Sequence, residues 1–261
     1  MRRSRIIMTT SCKGGVGKST VAANVALCLA RAGKRTLLVD MDLAMPCLDI
    51  ILGVESKTIF SIADVIKGKA SVKDAAITDE RSDKLFFIGG PHNECKITGE
   101  QFEEFISKAS DELHPDYILV DTPGDQGDSF VAASAVCGGA IIVATHAPTS
   151  LRAAEKTAME LARKNIGCRL VINEFDLSDL SSHLSGERAT VVEMIDQSHV
   201  RLIGIVPFSY ELERSSEDGA LCDEVGGDPL AAFTNIARRI CGENVVLFNG
   251  FTNRRKIRHS I

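Results

Sequence analysis

The stretch Lys13-Gly14-Gly15-Val16-Gly17-Lys18-Ser19-Thr20 follows a short apolar run, Ile6-Ile7-Met8, and opens an Ala- and Leu-rich helical pattern. Strand, glycine loop and helix start, in that order, describe a phosphate-binding loop. A loop that wraps a phosphate must turn its backbone N–H groups inward, which needs open φ/ψ space and no Cβ in the way; Gly14, Gly15 and Gly17 supply both. Lys18 can reach the β- and γ-phosphates and the Ser19 hydroxyl can ligate Mg²⁺, while the following helix adds the positive end of its dipole. Val16 and Thr20 complete the binding segment. Cys12 stands where the strict pattern has glycine, and a second lysine, Lys13, occupies the next place.

Outward from this loop, short aliphatic runs alternate with helical patterns. The runs are Ile6–Met8, Thr36–Val39, Leu85–Ile88, Tyr117–Val120, Ala140–Ala144, Leu170–Ile172 and Leu202–Val206, which read as strands buried on both faces of a mostly parallel sheet. Spacing and caps predict helices over 19–32, 59–67, 100–112, 127–136, 150–165, 187–197 and 228–241. The expected fold is a doubly wound α/β domain with its site at the carboxyl ends of the strands. Two of those ends carry acids. Val39 runs into Asp40-Met41-Asp42, placed to act on Mg²⁺, its waters or an attacking water, and Val120 runs into Asp121-Thr122-Pro123-Gly124. At the end of a third strand, Asn173 offers the donor and acceptor that an adenine edge presents. Asp125 and Asp128 read as solvated loop and cap residues.

Composition bounds the rest. At 261 residues with 44% apolar content the chain can bury one full α/β core, divided here into a 1–243 domain and a 244–261 tail. The net charge of −5 gives no broad basic face for nucleic acid. Eight cysteines form no C-x-x-C or C-x-C pair, which speaks against a metal cluster and a disulfide framework and for a reducing cytoplasm. Met-Arg-Arg-Ser-Arg leads straight into the first strand, so no signal peptide is expected, nor any transmembrane span. The tail interleaves Phe248, Phe251, Ile257 and Ile261 with Arg254, Arg255, Lys256 and Arg258, a mixture suited to an anionic membrane surface.

The Lys13–Thr20 segment resembles the deviant Walker A motif of the MinD/ParA group of P-loop ATPases, closest to its MinD branch, and the resemblance runs over about residues 5–242. It implies an ATP hydrolase that uses Mg²⁺ and forms an ATP-dependent homodimer, with Lys13 reaching across to the partner's nucleotide. It further implies that Asp42 orients the hydrolytic water, that Asp121 is the Walker B acid holding Mg²⁺ with Ser19, and that the Gly124 N–H senses the γ-phosphate. Asn173 would read adenine, with Pro207-Phe208 as a second base-lining segment. Pro46-Cys47-Leu48-Asp49 resembles the first switch segment, with Cys47 in place of the usual asparagine. The biology implied is spatial positioning such as division-site placement, with an unidentified activating protein and a peripheral place on the inner face of the cell membrane. The alternatives are a ParA-type partition ATPase and a metallocofactor-assembly carrier. Acids at 211, 213, 217, 218 and 224 make DNA unlikely. Cys137-Gly138-Gly139, similar to a cluster-ligand segment of nitrogenase iron protein, lies too far beyond Asp121 and reads as a buried structural thiol.

Overall fold

The structure, a computed structural model, describes residues 4–11, 13–91, 93, 95–177 and 191–252. Strand β1 (Arg5–Thr10) feeds the glycine loop and helix α1 (Lys18–Arg31), after which β2 (Thr36–Asp40) returns to the sheet. Short helices α2 (Leu48–Leu52), α3 (Ile62–Ile66) and α4 (Val72–Ala75) lead to β3 (Ile77–Thr78) and β4 (Leu85–Ile88). The regular alternation then resumes with α5 (Gly99–Leu113), β5 (Tyr117–Asp121), α6 (Asp128–Val136), β6 (Gly139–Ala144), α7 (Pro148–Arg163) and β7 (Gly167–Phe175). It ends with α8 (Val191–Ser198), β8 (Leu202–Pro207), α9 (Tyr210–Glu217), α10 (Cys222–Val225) and α11 (Gly227–Ile240).

The eight strands lie in the order β3-β4-β2-β5-β1-β6-β7-β8, parallel throughout except for the antiparallel edge strand β3. Strands β2, β4 and β5 are buried along their whole length, which is why they read as unbroken aliphatic runs rather than alternating ones. All seven predicted strands are present. Helix α5 shows the complementary logic: Thr98 and Gln101 form a capping box at its start, and Phe102, Phe105, Ile106, Ala109 and Leu113 recur on one buried face. Each buried phenylalanine of that stripe contributes about 1.5–3 kcal/mol.

Helices α2, α4, α9 and α10 and strand β3 are absent from the sequence-based expectation, because elements of two to eight residues are too short to show a period. The helix predicted from 59 starts at Ile62, since Ser61 donates to the Asp64 carboxylate and its N–H does the same, fixing the first turn there. The helix predicted over 187–197 is seen as Val191–Ser198; 187–190 lie outside the described residues.

The stretch assigned to the tail also differs. Val245, Phe248 and Phe251 are buried, the two rings packing edge to face at 5.4 Å. Arg239 donates to the Val245 carbonyl, Asn235 to that of Asn249, and the Thr252 N–H to Asp228, so residues 245–252 run back along α11 as part of the body. Phe248 and Phe251 are therefore core residues, not members of a membrane-facing mixture. Ile257, Ile261 and the basic residues 254–256 and 258 lie outside the described residues. Among the described residues no helix is long and apolar enough to cross a membrane.

Candidate functional site

Strand β1 sits between β5 and β6 at the point where the strand order reverses, so the loop that follows it opens into the crevice at the carboxyl edge of the sheet. Gly15 and Gly17 hold φ of 72° and 78°, the left-handed region that glycine enters without strain. A Cβ at Gly14 or Gly15 would meet nothing within 4 Å, so the loop is uncrowded at both. Helix α1 begins at Gly17 with no side-chain cap, leaving its first N–H groups available to an anion. Lys18 is buried in the first turn.

The sheet register delivers the acids. Asp121 pairs with Thr9 on one side and with Asp40 on the other, so the end of β5 lies directly beside the phosphate loop and the end of β2. The Ser19 hydroxyl donates to Asp121 Oδ2 at 2.5 Å. Among the described residues Asp121 Oδ1 is buried with no hydrogen-bond partner, as are the hydroxyls of Thr9 and Thr10. An orphaned carboxylate oxygen beside a serine hydroxyl, at the mouth of an open glycine loop, fits a hydrated Mg²⁺ on a bound nucleotide. Gly124 packs so closely on the loop that a Cβ there would stand 3.2 Å from the Gly14 nitrogen. Asp42 is half-buried, and its Oδ1 accepts the Met45 N–H at 3.1 Å.

Asn173 is 6% exposed and donates from Nδ2 to the Val16 carbonyl at 3.0 Å. Its side chain thus buttresses the phosphate loop from the end of β7. Pro207 lies on the neighbouring strand, in register with Phe175. Lys13 Nζ reaches Thr149 Oγ1 at 3.3 Å, at the start of α7, on the exposed side of the crevice. Every described residue of the predicted site gathers at this one edge; Cys12 lies outside the described residues.

A family model described as ParA, NUBPL iron-transfer P-loop NTPase, matches residues 2–241. This chain belongs to the ParA family of P-loop NTPases. It is 32% identical to the septum site-determining protein MinD of Synechocystis over 249 residues, 93% of this chain and 91% of that one. It is 31% identical to MinD of Bacillus subtilis, covering 92% and 90% of the two chains. Among solved structures it is similar to MinD of the Aquifex aeolicus MinC:MinD cell division complex, with a TM-score of 0.83 at 29% identity over 94% of this chain and 98% of that one.

Two residues of this ParA-family site were not given their role by sequence. Asp40 reads there as a second acid for metal or water; instead its Oδ1 accepts the Asp42 N–H at 2.9 Å, and its Oδ2 accepts those of Cys47 and Leu48 at 3.1 and 3.2 Å. It caps α2 and fastens both ends of the loop that carries Asp42. Glu174, in the left-handed region at φ 55°, lies beside Gly17 and feels both Glu213 and Lys13. Nothing in its sequence context marks it. Cys47, in the place of the family asparagine, sits beside the Ser19 hydroxyl, and burial pushes its thiol up to about 11. Cys137 is a buried thiol, raised by burial.

Burial raises Asp40 to about 8, with repulsion from Asp121 adding to it, and raises Asp121 to about 7 against the opposing Ser19 hydrogen bond and Lys18 charge. Unfolded carboxylates titrate near about 3.9. Between about pH 4 and 8 the native state therefore binds more protons than the unfolded one, so stability is fully present below that window and is lost as pH rises through it. The melting temperature of nucleotide-free, metal-free protein is expected to fall from pH 5.5 to pH 8, and 5 mM Mg²⁺ should shrink the fall by favouring ionised Asp121, an order of concentration chosen to populate a roughly millimolar site. Differential scanning calorimetry checks this; a flat or rising profile would contradict it.

Proposed function

We propose that this protein is a Mg²⁺-dependent ATPase switch that closes into an ATP-sandwich homodimer and serves spatial positioning, such as division-site placement, the process for which its MinD relatives are named. The observation that carries this reading is the convergence of Lys18, the Ser19–Asp121 pair and Asp42 on one open glycine loop. In this reading the loop amides and Lys18 bind the phosphate oxygens and stabilise the charge that builds on them during transfer to water. Ser19 and Asp121 hold Mg²⁺, which when bound neutralises phosphate charge. Asp42, steadied by Asp40, orients the attacking water. Asn173 and Pro207 line the place of the base.

Lys13 is the residue assigned to the partner's nucleotide. Its half-buried side chain, with Nζ on Thr149 Oγ1, supports that role, since it is not committed to its own loop. Met45 and Phe208, 77% and 55% exposed, lie beyond the carboxyl ends of β2 and β8 and favour closure of this edge against a second copy. The Aquifex relative was solved with MinC, which supports an activating or effector protein as a further partner. The assigned location is cytoplasmic, with peripheral attachment to the inner face of the cell membrane through 253–261, where Ile257 and Ile261 stand among four basic residues.

The full chain is expected to sediment with anionic vesicles in ATP and not in ADP, and to lose that binding when cut after Thr252. Binding in neither state would discard the membrane switch and favour a partition or carrier ATPase working away from the membrane.

A further inference from the structure

At the opposite edge of the sheet from the phosphate loop, a cavity of about 700 Å³ opens between the amino ends of β1, β6 and β7 and the C-terminus of α11. That volume is within the range of small-molecule sites. Among the described residues three arginines line it, Arg5, Arg169 and Arg239, and no acidic side chain does. Among the described residues none of the three has a carboxylate within ion-pair distance.

Among the described residues their hydrogen bonds all go to neutral oxygens, and Arg5 also lies over the Tyr117 ring at 5.6 Å. Arg239, half-buried, spends its donors on the Ile203 and Val245 carbonyls, and burial works against its charge. Among the described residues Arg5 uses only Nη1, toward the Ile240 carbonyl and the Tyr117 hydroxyl, and Arg169 uses only Nη1, toward its neighbour's carbonyl. Each of these two guanidiniums keeps Nε and Nη2 donors in hand, the fork that matches a phosphate. Helix capping by Arg5 and strapping of residue 245 by Arg239 explain those two side chains in part. They do not explain why a third guanidinium joins them with no counter-charge.

The cavity floor adds an independent observation. Gly138 and Gly167 also line it, and neither has a positive φ; a Cβ at either would meet nothing within 4 Å. Neither backbone conformation nor crowding requires glycine there, and its presence keeps the floor bare.

We propose that this cavity binds a small phosphorylated ligand, held by the Arg5, Arg169 and Arg239 guanidiniums over the Gly138/Gly167 floor. It is separate from the nucleotide site, at the other end of the strands. The ligand chemistry is a phosphate group, which a free metabolite or a lipid headgroup could present.

The test titrates inorganic pyrophosphate calorimetrically into the full chain with its phosphate loop saturated by ADP. One saturable site is expected, weakened roughly tenfold or more by Arg169→Gln, the loss of a charged hydrogen-bonding partner, and abolished by Gly167→Leu, which fills the floor. ADP affinity should be unchanged in both variants, which reports an intact fold and separates this site from the nucleotide reading. Arg169 is exposed and, among the described residues, bonds only its neighbour's carbonyl, so its variant keeps the test decisive if Gly167→Leu fails to fold. No pyrophosphate binding, binding displaced by ADP, or binding indifferent to Arg169→Gln would each overturn the proposal. Sedimentation with phosphatidic acid vesicles then names the source: a loss in Gly167→Leu assigns a lipid headgroup, and unchanged sedimentation with lost pyrophosphate binding assigns a free phosphorylated molecule.

Discussion

Lys13→Ala is expected to lower ATP turnover by about 10³-fold or more, the scale on which a cation supplied in trans to a phosphoryl transfer acts, while ATP affinity stays within about tenfold of the starting protein. The split follows from where Lys13 sits. Its Nζ contacts Thr149 at 3.3 Å on the exposed side of the crevice, whereas Lys18, buried in the first turn of α1, is the cation of the molecule's own loop. A residue that acts only in the closed dimer contributes little to binding by one chain and much to the transition state. Phosphate release at saturating ATP and nucleotide affinity measured separately give the two quantities. Unchanged turnover would remove the trans role; equal loss of both would place Lys13 in its own chain's phosphate cradle.

Gly17→Ala should be nearly as damaging by another route. Gly17 holds φ of 78°, which costs an alanine about 1–2 kcal/mol, and its new Cβ would stand 2.3 Å from Asn173 Nδ2. Asn173 must then give up its bond to the Val16 carbonyl, so the loop loses its glycine geometry and its buttress together. We expect ATP affinity to fall roughly 100-fold, and the melting temperature to drop by several degrees, at about 2–4 °C per kcal/mol for a chain of this size. The double variant Gly17→Ala/Asn173→Ala tells the two causes apart. Measured against Asn173→Ala alone, which reports what Asn173 itself contributes, ATP binding in the double variant equal to that single variant assigns the loss to the collision, and a further loss assigns it to backbone strain. ATP affinity within twofold of the starting protein in Gly17→Ala would refute the account of the loop.

How far the fold and site could be read from sequence divides along a physical line. The phosphate loop was legible because its demands are local: three glycines for backbone freedom, Lys18 and Ser19 at fixed offsets, an apolar run before and an Ala-rich helix after. The buried strands were legible for the same reason, since burial on both faces requires continuous aliphatic runs. Asp121 and Asp42 were marked by standing just past such runs. The short helices were not, because α2 owes its first turn to Asp40, a residue seven or eight positions earlier, and not to any period of its own.

The sequence by itself determined the fold class, the ParA-type loop and which polar residues stand on that loop and just past the strand ends beside it, because each rests on spacing along one chain segment. Tertiary structure alone decided what those residues touch. It set Asp121 between Thr9 and Asp40, turned Asp40 from a metal acid into the clasp of the Asp42 loop, and set Asn173 against Gly17. It folded Phe248 and Phe251 into the core and brought Cys28 within 3.9 Å of Cys222, 194 positions away. It also collected three arginines from β1, β7 and α11 around one cavity. Such contacts join strands and helices far apart in the chain, through a register that the packing of the whole sheet sets.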